Sequence, residues 1–187
     1  MGYGKSTQRE IPLKEKSIVF VGFMGVGKTS IGKLVAQKLH RSFIDIDKEI
    51  EENYQMSIPE IFKTLGENEF RKAESNLITE LCQQNLKVIS LGGGAFLQEE
   101  IRHACLSHCI VFHLDISWEA WKERLSLLIE SRPVLQGRTI EEVESLFHAR
   151  KEIYADHHSK VMTDQLNEEE AANYIVESLK LSWNLYN

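Results

Sequence analysis

Cysteine is scarce in this chain: three in 187 residues, Cys82, Cys105 and Cys109, at irregular spacing. So few thiols make no disulfide framework, and they fit a reducing cytoplasm better than an oxidising compartment. Long apolar runs are also missing, none approaching the roughly 20 residues that span a bilayer. The opening stretch, MGYGKSTQREIPLKEKS, has no apolar core of the kind a signal peptide carries. A positive balance is lacking too: 22 Lys and Arg against 28 Asp and Glu give a net charge of −6, the wrong sign for a general nucleic-acid binder. Repeats and low-complexity segments are absent. What remains is a cytoplasmic protein with no membrane or nucleic-acid partner and ordinary apolar (42%) and charged (27%) content. Its length suits one domain with a full core, and a monomer is the default in the absence of a coiled coil.

Strand and helix patterns alternate along the chain. Ser17–Val21 reads as a strand, Lys28–Leu39 as a helix, Phe43–Asp47 as a second strand. Residues 48–83 read as mostly helical, with a break near Ser57-Ile58-Pro59 and a turn near Gly66. Val88–Leu91 is a third strand and Cys109–Ile116 a fourth, with helical spacing over about 98–106 between them. Ser117 caps a helix expected to reach about Leu128, and Thr139 with Glu142 forms a capping box that opens another, to about Ala155. Lys160–Thr163 is the last strand, and Asn167 caps a C-terminal helix. This alternation predicts an α/β fold, a five-stranded parallel sheet covered on both faces in three α/β/α layers. Residues 1–15 are expected to be a mobile polar arm. Within it Met1-Gly2-Tyr3-Gly4-Lys5-Ser6 matches a short myristoylation pattern, and Gly4-Lys5-Ser6-Thr7 imitates a phosphate loop but follows no strand.

The strongest motif is Gly22-Phe23-Met24-Gly25-Val26-Gly27-Lys28-Thr29, a complete G-x-x-x-x-G-K-[ST] between a strand and a helix. Glycines let backbone N–H groups curl around phosphate oxygens, and the helix N-terminus adds its positive end. Lys28 offsets phosphate charge and Thr29 offers a hydroxyl to Mg²⁺. The acidic partner of that metal has two candidates. One is Asp115, after the apolar strand Val111–Leu114; the other is the pair Asp45 and Asp47. Period-two spacing places both aspartates on one face of an extended segment, so one carboxylate could serve the metal and the other a substrate hydroxyl's proton. A helix N-terminus decorated with acids would look the same.

Further features point to an anionic small-molecule acceptor. Arg71 and Glu74 lie one helical turn apart in Gly66–Glu74 (GENEFRKAE), placed to pair. Gly92-Gly93-Gly94 leaves bare backbone at a strand end. Arg132-Pro133 and Arg138 fall in a loop suited to a closing lid, and Arg150 lies in the next helix. His103, Cys105, His108 and Cys109 imitate a metal cluster, but they straddle a helix end and a strand, against the closed spacing of structural zinc. His157 and His158 read as surface or helix-end residues.

Together these residues resemble the shikimate kinase family, of the P-loop nucleoside-monophosphate-kinase-like fold, over most of the chain. The resemblance rests on Gly22–Thr29, Asp45/Asp47, Gly66–Glu74, Ser90–Ala95 (SLGGGA), Arg132–Leu135 (RPVL) and Arg150–Tyr154 (R-x-x-x-Y). It implies ATP-dependent phosphorylation of the 3-hydroxyl of shikimate, a step towards chorismate and the aromatic amino acids. By the same resemblance, Gly25, Val26, Gly27, Lys28, Thr29 and Ser30 bind the nucleotide, with Arg124 stacked on adenine and Arg132 closing on the phosphoryl group. Thr29, Asp45 and Ser90 surround Mg²⁺ or its waters. Asp47 is the candidate base, Arg71 and Arg150 clamp the carboxylate, and Phe62, Phe70, Gly92, Gly93 and Gly94 line the ring, with Glu74 holding Arg71. The implied organisation is one kinase domain over 16–187, with an acceptor-binding helical segment at about 48–83 and a lid at about 126–139. One residue more separates Arg124 from Arg132 than the family's pattern has, and the N-terminal arm is longer. A gluconate-kinase-like enzyme would share the loop without the Gly66–Glu74 motif and the glycine triplet. The other class is a nucleotide-dependent binding module or switch that has lost catalysis, and the retention of Lys28, Thr29, Asp45, Asp47 and Arg132 speaks against it.

Overall fold

A computed structural model of the chain describes residues 11–125, 135 and 137–185. Its central strand, β1 (Ile18–Val21), reads Ile-Val-Phe-Val and is buried along its whole length. Branched and aromatic residues without alternation mark a strand covered on both faces. Parallel to it on one side runs β3 (Lys87–Ser90), and on the other β4 (Ile110–Asp115). The outer strands are β2 (Ser42–Asp45), beside β3, and β5 (Ser159–Met162), beside β4. The order β2-β3-β1-β4-β5 makes the expected five-stranded parallel sheet. It is the middle layer of the α/β/α, nucleoside-monophosphate-kinase-like architecture anticipated from the sequence.

The helices are α1 (Lys28–Lys38), α2 (Ile46–Tyr54), α3 (Ile58–Thr64), α4 (Glu67–Cys82), α5 (Glu99–His108), α6 (Trp118–Lys122), α7 (Ile140–Ile153) and α8 (Glu168–Leu185). The capping signals act as read: Thr139 and Glu142 cap α7 reciprocally, and Asn167 with Glu170 does the same for α8. α6 stops at Lys122, short of the expected Leu128; residues 126–134 and 136, which include Arg132 and most of the expected lid, lie outside the described residues. Residues 1–10 of the expected arm, with their two motif imitations, also lie outside. The adjoining Leu13–Glu15 forms a 3₁₀ turn, and Arg41 donates to the carbonyls of Lys14 (2.6 Å) and Lys16 (2.8 Å).

Two connections place the functional edge. From β1 the chain passes through α1 to β2 at one edge of the sheet; from β3 it passes through α5 to β4 on the other side of β1. Neighbouring strands whose connections leave in opposite directions open a crevice at their carboxyl ends. The segments that follow β1 and β3 are Gly22–Thr29 and Gly92–Gly94.

Candidate active site

The loop after β1 has the backbone its glycines allow. Gly25 (φ 76°) and Gly27 (φ 102°) adopt left-handed conformations that side chains resist, and Gly27 is the N-cap of α1. Among the described residues no side chain caps that helix start, so its N–H groups and positive dipole end face the crevice. Lys28 is buried and its ammonium donates to the carbonyls of Gly22 (2.8 Å) and Phe23 (3.0 Å). The loop is braced by Trp121 of α6, whose Nε1–H donates to Met24 O at 2.7 Å, and by Arg124 just after that helix, whose Nη1–H reaches Gly25 O at 3.3 Å.

The aspartate pair corrects the sequence expectation. β2 ends at Asp45, and α2 begins at Ile46 with Asp45 as its N-cap, accepting from Lys48 N–H. Asp47 therefore sits in the first helical turn rather than on a strand, where residues two apart do not share a face. The two carboxylates serve different neighbours. Asp45 Oδ2 accepts from the Thr29 hydroxyl at 2.6 Å, and Asp45 pairs in register with the buried Ser90 of β3. Two hydroxyls and one carboxylate are hard oxygen donors of the kind Mg²⁺ takes while keeping several waters. Asp47 turns instead to the glycine triplet: a methyl at Gly92 would lie 2.6 Å from Asp47 Oδ1 and 3.3 Å from Glu74 Oε1. Asp115, the alternative metal partner, is occupied by Lys151 (3.0 Å) and Lys160 (3.4 Å).

Two arginines from different helices reach the same triplet. On α4, Arg71 Nη1 pairs with Glu74 Oε2 at 2.7 Å and its other nitrogens reach Glu67 at 3.3 Å. A methyl at Gly94 would stand 2.9 Å from Arg71 Nη2. On α7, Arg150 Nη1–H donates to Gly93 O at 2.9 Å. Phe62 and Phe70 pack against each other in a tilted pair, ring centroids 4.8 Å apart, with the Arg71 guanidinium 5.2 Å from the Phe70 centroid. Two partners escaped sequence reading, Gln98, which donates to Glu74 at 2.8 Å, and Glu67, beside Arg71; Tyr154, read only as part of the R-x-x-x-Y motif, donates to Gly93 O. The i,i+4 spacings of Glu67 with Arg71 and of Arg150 with Tyr154 were the available signals. The imitation metal cluster does not converge. Among the described residues no three His, Cys, Asp or Glu side chains could hold an ion, and Cys105 faces Cys82 at 3.7 Å instead.

Glu74 is 1% exposed, and this burial pushes its carboxyl up to about 7, with the charge of Asp47 adding to the rise against the pull of Arg71 and Gln98. Between about 4.5 and about 7 the folded chain thus keeps a proton that the unfolded chain releases. This group's contribution to stability is complete below about 4.5 and is lost as pH rises to about 7. Glu74→Gln, which cannot ionise, should lose that slope. Measured by urea unfolding, the variant is expected to gain roughly 3 kcal/mol relative to the parent between those limits; a difference that does not vary with pH would contradict it.

Comparisons with known proteins identify the family. The family model described as Shikimate kinase matches residues 24–180. The shikimate kinase of Bacillus pumilus (strain SAFR-032) is 60% identical over 179 residues, covering 95% of this chain and 97% of that protein. Among solved structures, shikimate kinase from Acinetobacter baumannii in complex with shikimate superposes with a TM-score of 0.82 at 30% identity, covering 91% of this chain and 96% of that one. A gluconokinase from Sinorhizobium meliloti 1021 shares only the fold, with a TM-score of 0.52 at 18% identity over 94% of this chain and 98% of its own. The chain belongs to the shikimate kinase family.

Proposed function

We propose that this chain transfers the γ-phosphoryl group of ATP to the 3-hydroxyl of shikimate, giving shikimate 3-phosphate and ADP on the route to chorismate. The observation that carries this reading is the convergence of Asp47, Arg71 and Arg150 on Gly92–Gly94, beside the phosphate loop. Family membership supplies the ATP- and Mg²⁺-dependent chemistry, and the Acinetobacter baumannii relative was solved with shikimate.

The family resemblance then gives each residue its role. N–H groups over Gly25–Ser30 bind the phosphates, and Lys28 exchanges its loop carbonyls for β- and γ-phosphate oxygens. Thr29, Asp45 and Ser90 would hold Mg²⁺, which would supply charge to offset the phosphates. Arg71 and Arg150 receive the shikimate carboxylate, and Phe62, Phe70 and the triplet backbone line the ring. Asp47 takes the proton as the 3-hydroxyl oxygen bonds to the γ-phosphorus and the bond to the β-phosphate oxygen breaks. Arg124 lies against adenine, and Arg132 closes with the lid at about 126–139 to neutralise the phosphoryl group. Positioning and charge do most of this work.

The whole of 16–187 acts as one kinase domain, with the acceptor held by the segment at about 48–83. A monomer is the assigned state, the sequence having no evident coiled coil. The three free, buried thiols suit the cytoplasm, and no helix among the described residues is long and apolar enough to cross a membrane.

Gly92→Ala tests the packing at the triplet. Its methyl displaces the Asp47 carboxylate (2.6 Å) and only crowds that of Glu74 (3.3 Å), so kcat should fall about a hundredfold while the melting temperature barely moves. Unchanged kcat would contradict the placement of Asp47. Phosphorus NMR of the product tests the reaction itself: coupling to the proton on C3 is expected, and phosphate on another hydroxyl would refute the assignment.

A further inference from the structure

Gly93 offers one carbonyl to two donors from the end of α7. Tyr154 Oη–H donates at 2.5 Å and Arg150 Nη1–H at 2.9 Å. The residues are four apart, one turn apart on the same helix face, and Tyr154 closes the helix as its C-cap. A carbonyl has two lone pairs, so both bonds can coexist.

The donors differ in freedom. Tyr154 is 2% exposed, its ring packs on His113 (centroids 5.3 Å apart), and its own carbonyl meets His157 Nδ1 at 2.7 Å. Burial pushes its phenol up to about 12, so the hydroxyl remains a donor throughout the enzyme's pH range. Arg150 is half-buried at the crevice and has further N–H groups to offer.

We propose that Tyr154 is a positioning residue for acceptor binding: it holds the Gly93 carbonyl, so that Arg150 can turn to the substrate carboxylate without orphaning a half-buried acceptor. This rests on the reading of Arg150 as a carboxylate clamp. Without the hydroxyl, Arg150 becomes the donor on that carbonyl, and each binding event must break its bond with nothing to replace it. The penalty falls on acceptor binding. Nucleotide binding and the proton transfer at Asp47 do not involve Gly93 O.

Tyr154→Phe is the test, in steady-state kinetics with each substrate varied. The KM for shikimate should rise about tenfold, while kcat and the KM for ATP change less than twofold. A purely structural tyrosine would lower kcat and the melting temperature and disturb both KM values together, which would overturn the proposal. The same measurement with Arg150→Ala separates this inference from the clamp. If Arg150→Ala raises the shikimate KM and Tyr154→Phe does not, the positioning role is wrong and the clamp stands. If Arg150→Ala leaves that KM unchanged, the clamp fails and takes the inference with it. Adding Tyr154→Phe to Arg150→Ala should raise the KM less than twofold further, because no arginine is left to be drawn back; additive effects would overturn the proposal. Should Tyr154→Phe prove insoluble, Tyr154→Met, a flexible filler without the hydroxyl, must show the same tenfold, shikimate-specific change.

Discussion

Asp47→Asn is expected to lower kcat about a thousandfold while leaving ATP affinity within twofold. Asparagine keeps the size and one acceptor oxygen of the side chain but cannot take a proton. Positioned general bases contribute roughly 10²–10⁴ to a rate, and the middle of that range is expected because the phosphoryl group and its charge are still handled by the loop. ATP affinity is spared because the loop's backbone N–H groups, Lys28, and Thr29 with Asp45 remain in place to hold the phosphates, and the substitution keeps the shape of the side chain beside Gly92 and Glu74. Misfolding is a poor explanation for such a loss. The substitution removes a favourable helix-start charge worth about 0.3–1 kcal/mol, but it also removes a charge that opposes ionisation of Glu74. Single-turnover rates with calorimetric titration of a non-hydrolysable ATP analogue would show the split. A variant keeping more than a tenth of its rate would end the assignment of Asp47 as base.

Arg71→Ala is expected to raise the KM for shikimate about a hundredfold, with the KM for ATP nearly unchanged. A bidentate bond from a guanidinium to a carboxylate is among the stronger polar contacts, and a hundredfold corresponds to about 2.7 kcal/mol. Glu74 loses its nearest cation in the same step. Buried and left with Gln98, it should hold its proton to higher pH than in the parent, which makes the variant more stable at pH 6 than at pH 8. Arg71→Lys keeps a charge but loses the fork, so its shikimate KM should fall between parent and alanine variant. Equal damage to both KM values would place Arg71 outside the acceptor site.

The features legible in the sequence are those made by neighbours in the chain. The phosphate loop, the Arg71–Glu74 pair and the capping boxes at Thr139 and Asn167 each span a few residues, so spacing alone defines their geometry. The aspartate pair shows where spacing fails. Asp45 both ends β2 and caps α2, its side chain accepting from Lys48 N–H and the Thr29 hydroxyl, so the strand stops two residues before Asp47. Contacts across the fold were out of reach. Tyr154 meets Gly93, and Lys151 meets Asp115, because the order β2-β3-β1-β4-β5 brings the β3 and β4 ends beside α7. Alternating strand and helix patterns define the layers of such a fold but leave the strand order open.

In the proposed function the loop holds the nucleotide, and the side chains gathered at Gly92–Gly94 decide what it phosphorylates. The most direct test of that division is ADP release by the purified chain with Mg-ATP, comparing shikimate with gluconate and with nucleoside monophosphates. Release should depend on shikimate and stay at the background rate with the others. Turnover that ignores shikimate, or that prefers gluconate or a nucleotide, would contradict the account.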